Sequence, residues 1–83
     1  MMYVVICYSV HEQEIASYDA FENERDAVIF LKEDAQDTYE EEMNNSDDES
    51  KTQIYFTMRD DRTAYLSSCD GECEWTWEII KIK

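Results

Sequence analysis

The chain has 83 residues and carries 21 Asp and Glu against 7 Lys and Arg, a formal net charge of −14. That length holds one small domain and no second core, and a surface so acidic repels nucleic acids and anionic membranes. The aromatic content (Trp 2, Tyr 6, Phe 3), a single Gly and no Pro argue against a flexible linker and for a folded domain over 1–83.

The first predicted element is a strand over 2–9 (MYVVICYS), rich in β-branched and aromatic residues. Its run Val4-Val5-Ile6 suggests burial on both faces and a central position. After a polar connection, residues 14–21 (EIASYDAF) alternate loosely. Ile15, Ser17, Asp19 and Phe21 fall on one side, Ala16, Tyr18 and Ala20 on the other.

Asn23 is a good helix N-cap, and Asp26 stands where a capping box closes. The predicted helix covers about 24–43. Ala27, Phe30, Leu31, Asp34, Ala35, Thr38 and Met43 trace one stripe, with Val28 and Tyr39 at its edge. Glu33, Asp37 and Glu41 stand four apart on the outer face, with Glu40 and Glu42 beside them. Glu40, Glu41 and Glu42 also oppose the negative end of the helix dipole, so this end frays unless Tyr39 and Met43 dock.

An acidic loop over 44–50 (NNSDDES) leads to a strand over 51–58 with Ile54, Phe56 and Met58 on one face. A turn over 59–62 joins it to a strand over 63–68. Asp70-Gly71 marks a second turn, before a last strand over 74–83. In that strand Trp75, Trp77 and Ile79 share one face, while Ile80 and Ile82 fall on the other. The change of period suggests a bulge or a terminal half buried on both sides. Pairing Leu66 with Trp75 and Ala64 with Trp77 brings the most apolar side chains together. The fold class is α+β, in the order ββαβββ: a predominantly antiparallel sheet with one acidic helix packed on one face. The first and last strands suit central, neighbouring places.

Signs of catalysis are lacking. His11 has no nucleophile near it in sequence, Cys7 reads as a core thiol, and Cys69 and Cys73 read as free thiols without adjacent cations. Neither a metal nor a cofactor is expected. Asp47-Asp48-Glu49 lacks the glycine of a calcium loop and attracts divalent cations only weakly. Lack of a span-length apolar run, of a secretory leader and of a disulfide framework points to the cytoplasm.

The charge is segregated. Residues 12–50 hold 15 acids and 2 bases, and residues 51–83 hold 6 acids and 5 bases. Self-repulsion of this kind destabilises a compact chain, and a function would account for it. The expectation is a non-catalytic module that presents Glu33, Asp37, Glu40, Glu41, Glu42, Asp47, Asp48 and Glu49 to a basic partner, as a mimic of a nucleic-acid backbone. The partner is a basic or nucleic-acid-binding protein, with no direct contact to nucleic acid or membrane. The alternatives are an assembly role without mimicry, or a weak divalent-cation binder or small enzyme. Tyr55, Tyr65, Ile80 and Ile82, on the sheet face opposite the helix, are the expected surface of a homodimer.

Overall fold

The computed structural model describes residues 2–47, 51, 53–60, 62–68 and 73–82. In chain order it has β1 (Met2–Ser9), β2 (Glu14–Phe21), α1 (Glu24–Asn45), β3 (Tyr55–Asp60), β4 (Thr63–Ser68) and β5 (Cys73–Ile82). The strands form one antiparallel sheet in the order β2-β1-β5-β4-β3. This is the predicted α+β fold and ββαβββ order, with α1 packed on one face of the sheet.

β1 and β5 are neighbours near the centre. They pair without interruption from Met2↔Ile82 to Ser9↔Trp75. The change of period in β5 is therefore no bulge, and its far half is not buried twice. Ile79 is buried under the helix, while Ile80 and Ile82 are exposed on the other side. One helix covers one face, so alternate residues of even a central strand meet solvent. β1 behaves alike: Tyr3, Val5 and Cys7 are buried, Val4 and Ile6 half-buried, and Tyr8 exposed.

The bulge lies instead between β1 and β2. Cys7 pairs with Ser17 and Tyr8 with Ile15, which leaves Ala16 as the extra residue. Ile15 is thereby moved to the side of Tyr18, away from Ser17 and Asp19. In the preceding turn Gln13 has φ 56, a left-handed conformation that costs a non-glycine residue about 1 kcal/mol.

The core forms where the helix stripe meets β1, β4 and β5. Ala27 and Ala35 are fully buried and small enough to let the helix approach closely, while Leu31 between them fills the gap. Val5, Leu66, Trp77 and Ile79 complete this cluster. Phe21 meets Phe30 with ring centroids 5.2 Å apart, and Tyr39 stacks on Phe56 at 4.8 Å.

Both helix ends have local explanations. Asn23 is the N-cap: its Oδ1 accepts from the Asp26 backbone N–H at 2.8 Å, and its Nδ2 donates to Asp26 Oδ2 at 3.1 Å. Replacing Asn23 with alanine is expected to lower stability by about 1 kcal/mol. In urea denaturation this is a fall in midpoint with an unchanged slope.

The C-terminal end runs to Asn45, so Asn44 and Asn45 are helical and not loop. The Tyr39–Phe56 stack and a bond from Ser46 Oγ to the Glu42 carbonyl (2.7 Å) hold it against the unfavourable dipole.

Beyond the helix, the Lys51 N–H donates to the Asp47 carbonyl at 3.0 Å and Lys51 is itself helical. The following strand consequently begins at Tyr55 and not at Lys51. It continues through Asp60, inside the predicted turn. Asp60 Oδ1 accepts from the Arg62 N–H (2.7 Å) and from Thr63 Oγ1 (3.1 Å). These bonds, the Arg62 N–H first, hold the Asp60 carboxyl below its ordinary range. The expected pairs Leu66↔Trp75 and Ala64↔Trp77 are present. The turn that joins them, Asp70-Gly71 included, lies outside the described residues, as does Cys69.

Candidate functional site: the acidic helix face

At about 100° per residue, Asp26, Glu33, Asp37 and Glu40 project within about 60° of one another, opposite the Ala27–Leu31–Ala35 stripe. Glu41 lies beside this arc. Glu33, Asp37, Glu40, Glu41 and, past the helix, Asp47 are all exposed. Gln36 Nε2 donates to Glu40 Oε1 at 3.3 Å, a bond between neighbouring turns that leaves the charge in place. Asp48 and Glu49 lie outside the described residues.

Glu42 stands apart from the outer row. It is half-buried, and its Oε1 accepts from Ser68 Oγ on β4 at 2.6 Å. Its helical angle is close to that of Leu31 and Ala35, a signal present in the sequence. The run of three glutamates disguises it.

Asp34 belongs to the predicted core stripe, and its use there is specific. Asp34 Oδ2 accepts from Trp77 Nε1 at 2.8 Å, and Thr38 Oγ1 donates to the Asp34 carbonyl at 2.9 Å. Asp34, Thr38 and Glu42 thus form a polar seam at spacing i, i+4, i+8, in which Asp34 ties the helix to β5 and Glu42 ties it to β4. The acids of α1 divide into an outer group that stays in water and an inner pair that holds the fold.

The remaining reactive groups are structural in setting. Burial pushes the Cys7 thiol up from 9.0 to about 12, with the nearby Asp34 charge adding to the effect. The thiolate is the nucleophile, so Cys7 is inert near neutral pH. His11 Nε2 lies 3.7 Å from Glu74 Oε1. Arg62 Nη2 donates to Glu24 Oε1 at 2.6 Å, and both side chains are nearly half exposed. A pair of that kind contributes about 1 kcal/mol at most. Among the described residues, no three His, Cys, Asp or Glu side chains group to hold a metal ion, and no helix is long and apolar enough to cross a membrane.

The four residues expected at a dimer interface lie on the face away from the helix. Tyr55, Ile80 and Ile82 are exposed, and the Tyr55 and Tyr65 rings stand 6.0 Å apart. The face is not continuous. Glu78, opposite Ile6 on one side and Thr63 on the other, lies between the tyrosine pair and the isoleucine pair. A shallow depression of about 330 Å³ opens there, lined by Thr63, Tyr65, Thr76 and Glu78 among others. The chain matches no protein-family model, no curated protein and no solved structure.

Proposed function

We propose that the chain is a non-catalytic, acidic protein-binding module. Its outer helix face occupies the basic site of a nucleic-acid-binding protein. The observation that carries this reading is the exposed helix arc of Glu33, Asp37 and Glu40, flanked by Glu41, on which no Lys or Arg falls. Acids four residues apart rise about 6 Å along the axis, a spacing comparable to that of phosphates along one nucleic-acid strand. A protein that recognises phosphates gains Coulomb energy from either surface and releases its counterions to either. The reading goes with a cytoplasmic location.

The test is a pull-down from cell extract with Glu33→Lys/Asp37→Lys/Glu41→Lys as the comparison chain. The wild type is expected to retain a basic nucleic-acid-binding protein, to lose it as salt rises, and to lose it to added DNA. The triple variant should bind at least about tenfold more weakly, about 1.4 kcal/mol. Its fold should persist, because all three residues are exposed. Partners that are apolar, indifferent to salt and kept by the triple variant would favour an assembly role. The exposed Tyr55, Ile80 and Ile82 support that second reading.

A further inference from the structure

β2 is an edge of the sheet, paired on one side only, with β1. Residues 14–20 are exposed on both faces, and only Phe21 tucks toward the core. Proteins commonly blunt such edges with proline, charged side chains, bulges or short strands. β2 is 8 residues long and has no proline or lysine, and its protection is one bulge and the carboxylates of Glu14 and Asp19, which do not repel a basic strand. Its bulge interrupts the ladder at Ala16, but from Ser17 to Phe21 the register with β1 is regular. This leaves a usable row of unpaired backbone donors and acceptors.

The side chains along the edge sort by face. Strand partners point to the same side, so Ile15 and Tyr18 share the open side with Tyr8 and Ile6. Glu14 and Asp19 share the helix side with Ser9 and Val5, and both stay exposed there. Residues 12–22 contain Glu12, Glu14, Asp19 and Glu22 and no Lys, Arg or His. Glu12 faces Glu14 closely enough to raise the Glu14 carboxyl above its ordinary range, first through a side-chain hydrogen bond and then by charge. An added cation relieves that crowding.

We propose that β2 is a receptor edge: an extended peptide alternating basic and apolar side chains adds to it as a further strand. Its basic residues lie on the helix side against Glu14 and Asp19, and its apolar residues lie on the open side against Ile15 and Tyr18. Backbone bonds supply the register-independent part of the affinity, and the alternation supplies selectivity. A second copy is the poorer occupant, because pairing β2 with β2 sets acids against acids with no base in either strand. This surface is separate from the outer face of α1 and does not depend on the mimic reading.

The experiment uses the whole chain carrying Glu33→Lys/Asp37→Lys/Glu41→Lys, so that the outer helix face draws cations far less. The probe is a synthetic capped peptide as long as β2, alternating lysine and valine. Amide NMR shifts and hydrogen exchange are followed residue by residue. The expected result is saturable binding with new protection concentrated in residues 17–21. An analogue with alternate backbone amides N-methylated should not bind, and a glutamate–valine peptide should not bind. Glu14→Lys/Asp19→Lys, at two exposed positions, should weaken the lysine peptide by at least about tenfold. Three results overturn the proposal. They are equal binding of the N-methylated peptide, shifts confined to other strands or to the helix, and protection of β2 amides that rises with protein concentration before peptide is added. The last would make the edge a contact between copies.

Discussion

Truncating Trp77 to alanine is expected to cost about 3–5 kcal/mol, the largest loss from any one substitution in this chain. Trp77 is 1% exposed and sits on β5, the middle strand, opposite Ala64 on one side and Cys7 on the other. Its ring belongs to the same cluster as Leu31 and Leu66, so the cavity left behind would be lined by fully buried side chains. A domain this small has a total stability of about 5–15 kcal/mol, and often the lower end. Trp77→Ala should therefore leave the chain largely unfolded at 37 °C. Trp77→Phe separates the two parts of the effect. It keeps most of the ring but removes the donor to Asp34, and a half-buried carboxylate without its partner costs about 1–3 kcal/mol. Asp34→Ala should cost a similar amount, and the double variant less than the sum of the two. Urea denaturation of the four chains measures this. Independent, additive losses at Asp34 and Trp77 would show that the 2.8 Å bond carries no coupling.

The parts of this fold that were legible in the sequence are those dictated by local rules. Asn23 announces a cap because its side chain can accept from an orphan N–H of the first turn, and it does so from Asp26, whereas the Asp26 carboxylate meets the Asn23 side-chain amide and not the backbone N–H that a capping box uses. Residues 63–68 alternate, and Ala64, Leu66 and Ser68 are buried in turn. The pairing of Leu66 with Trp75 followed from packing apolar faces together. What was not legible depended on the number of layers. Val4, Ile6, Ile80 and Ile82 look like residues of a doubly covered strand, yet a single helix leaves them on an open face. Nothing in the local pattern counts helices. The bulge at Ala16 was hidden for a related reason. Residues 14–21 satisfy alternation on paper, and only the register with β1 shows that Ile15 has changed sides.

The acidic region shows the same division. Composition reveals that the acids cluster, and helical spacing separates Glu33, Asp37 and Glu41 from the core stripe, although Glu40 lies nearer the centre of the outer face than Glu41. The helical angle of Glu42 already turns it inward, but its partner is a hydroxyl from β4 and that of Asp34 an indole from β5, neither near in sequence. The functional consequence is that the charge on α1 is not one reservoir. Asp34 and Glu42 are engaged with the sheet, and substituting them tests stability. Glu33, Asp37, Glu40 and Glu41 are free of that duty, and substituting them tests recognition.

Alkaline pH should destabilise the folded chain through Cys7, and the sign follows from linkage. The thiol is held protonated in the fold up to about 12, against an ordinary value of 9.0. Below pH 9 both states carry the proton, and the stability contribution is fully present. Above pH 9 the unfolded chain releases the proton while the folded chain retains it. Stability then falls with rising pH until the folded thiol also ionises. Each pH unit in that window removes about 1.4 kcal/mol, which reaches about 4 kcal/mol across the full shift as an upper bound. Six tyrosines and the lysines titrate in the same range, so the measurement is a difference. Cys7→Ala lacks the thiol and carries the same tyrosines and lysines. At neutral pH the variant is expected to be the less stable chain, because Cys7 is 6% exposed and its sulfur fills core volume. By about pH 10.5 the wild type should have lost about 2 kcal/mol relative to the variant. Denaturation midpoints of both chains at several pH values read this directly. A stability difference that stays constant from neutral pH to pH 10.5 would mean that Cys7 ionises as easily folded as unfolded. Asp34→Asn gives the complementary check. Removing the charge that adds to burial should lower the folded pKa of Cys7 and shallow the alkaline loss, whatever the substitution does to the Trp77 bond at neutral pH.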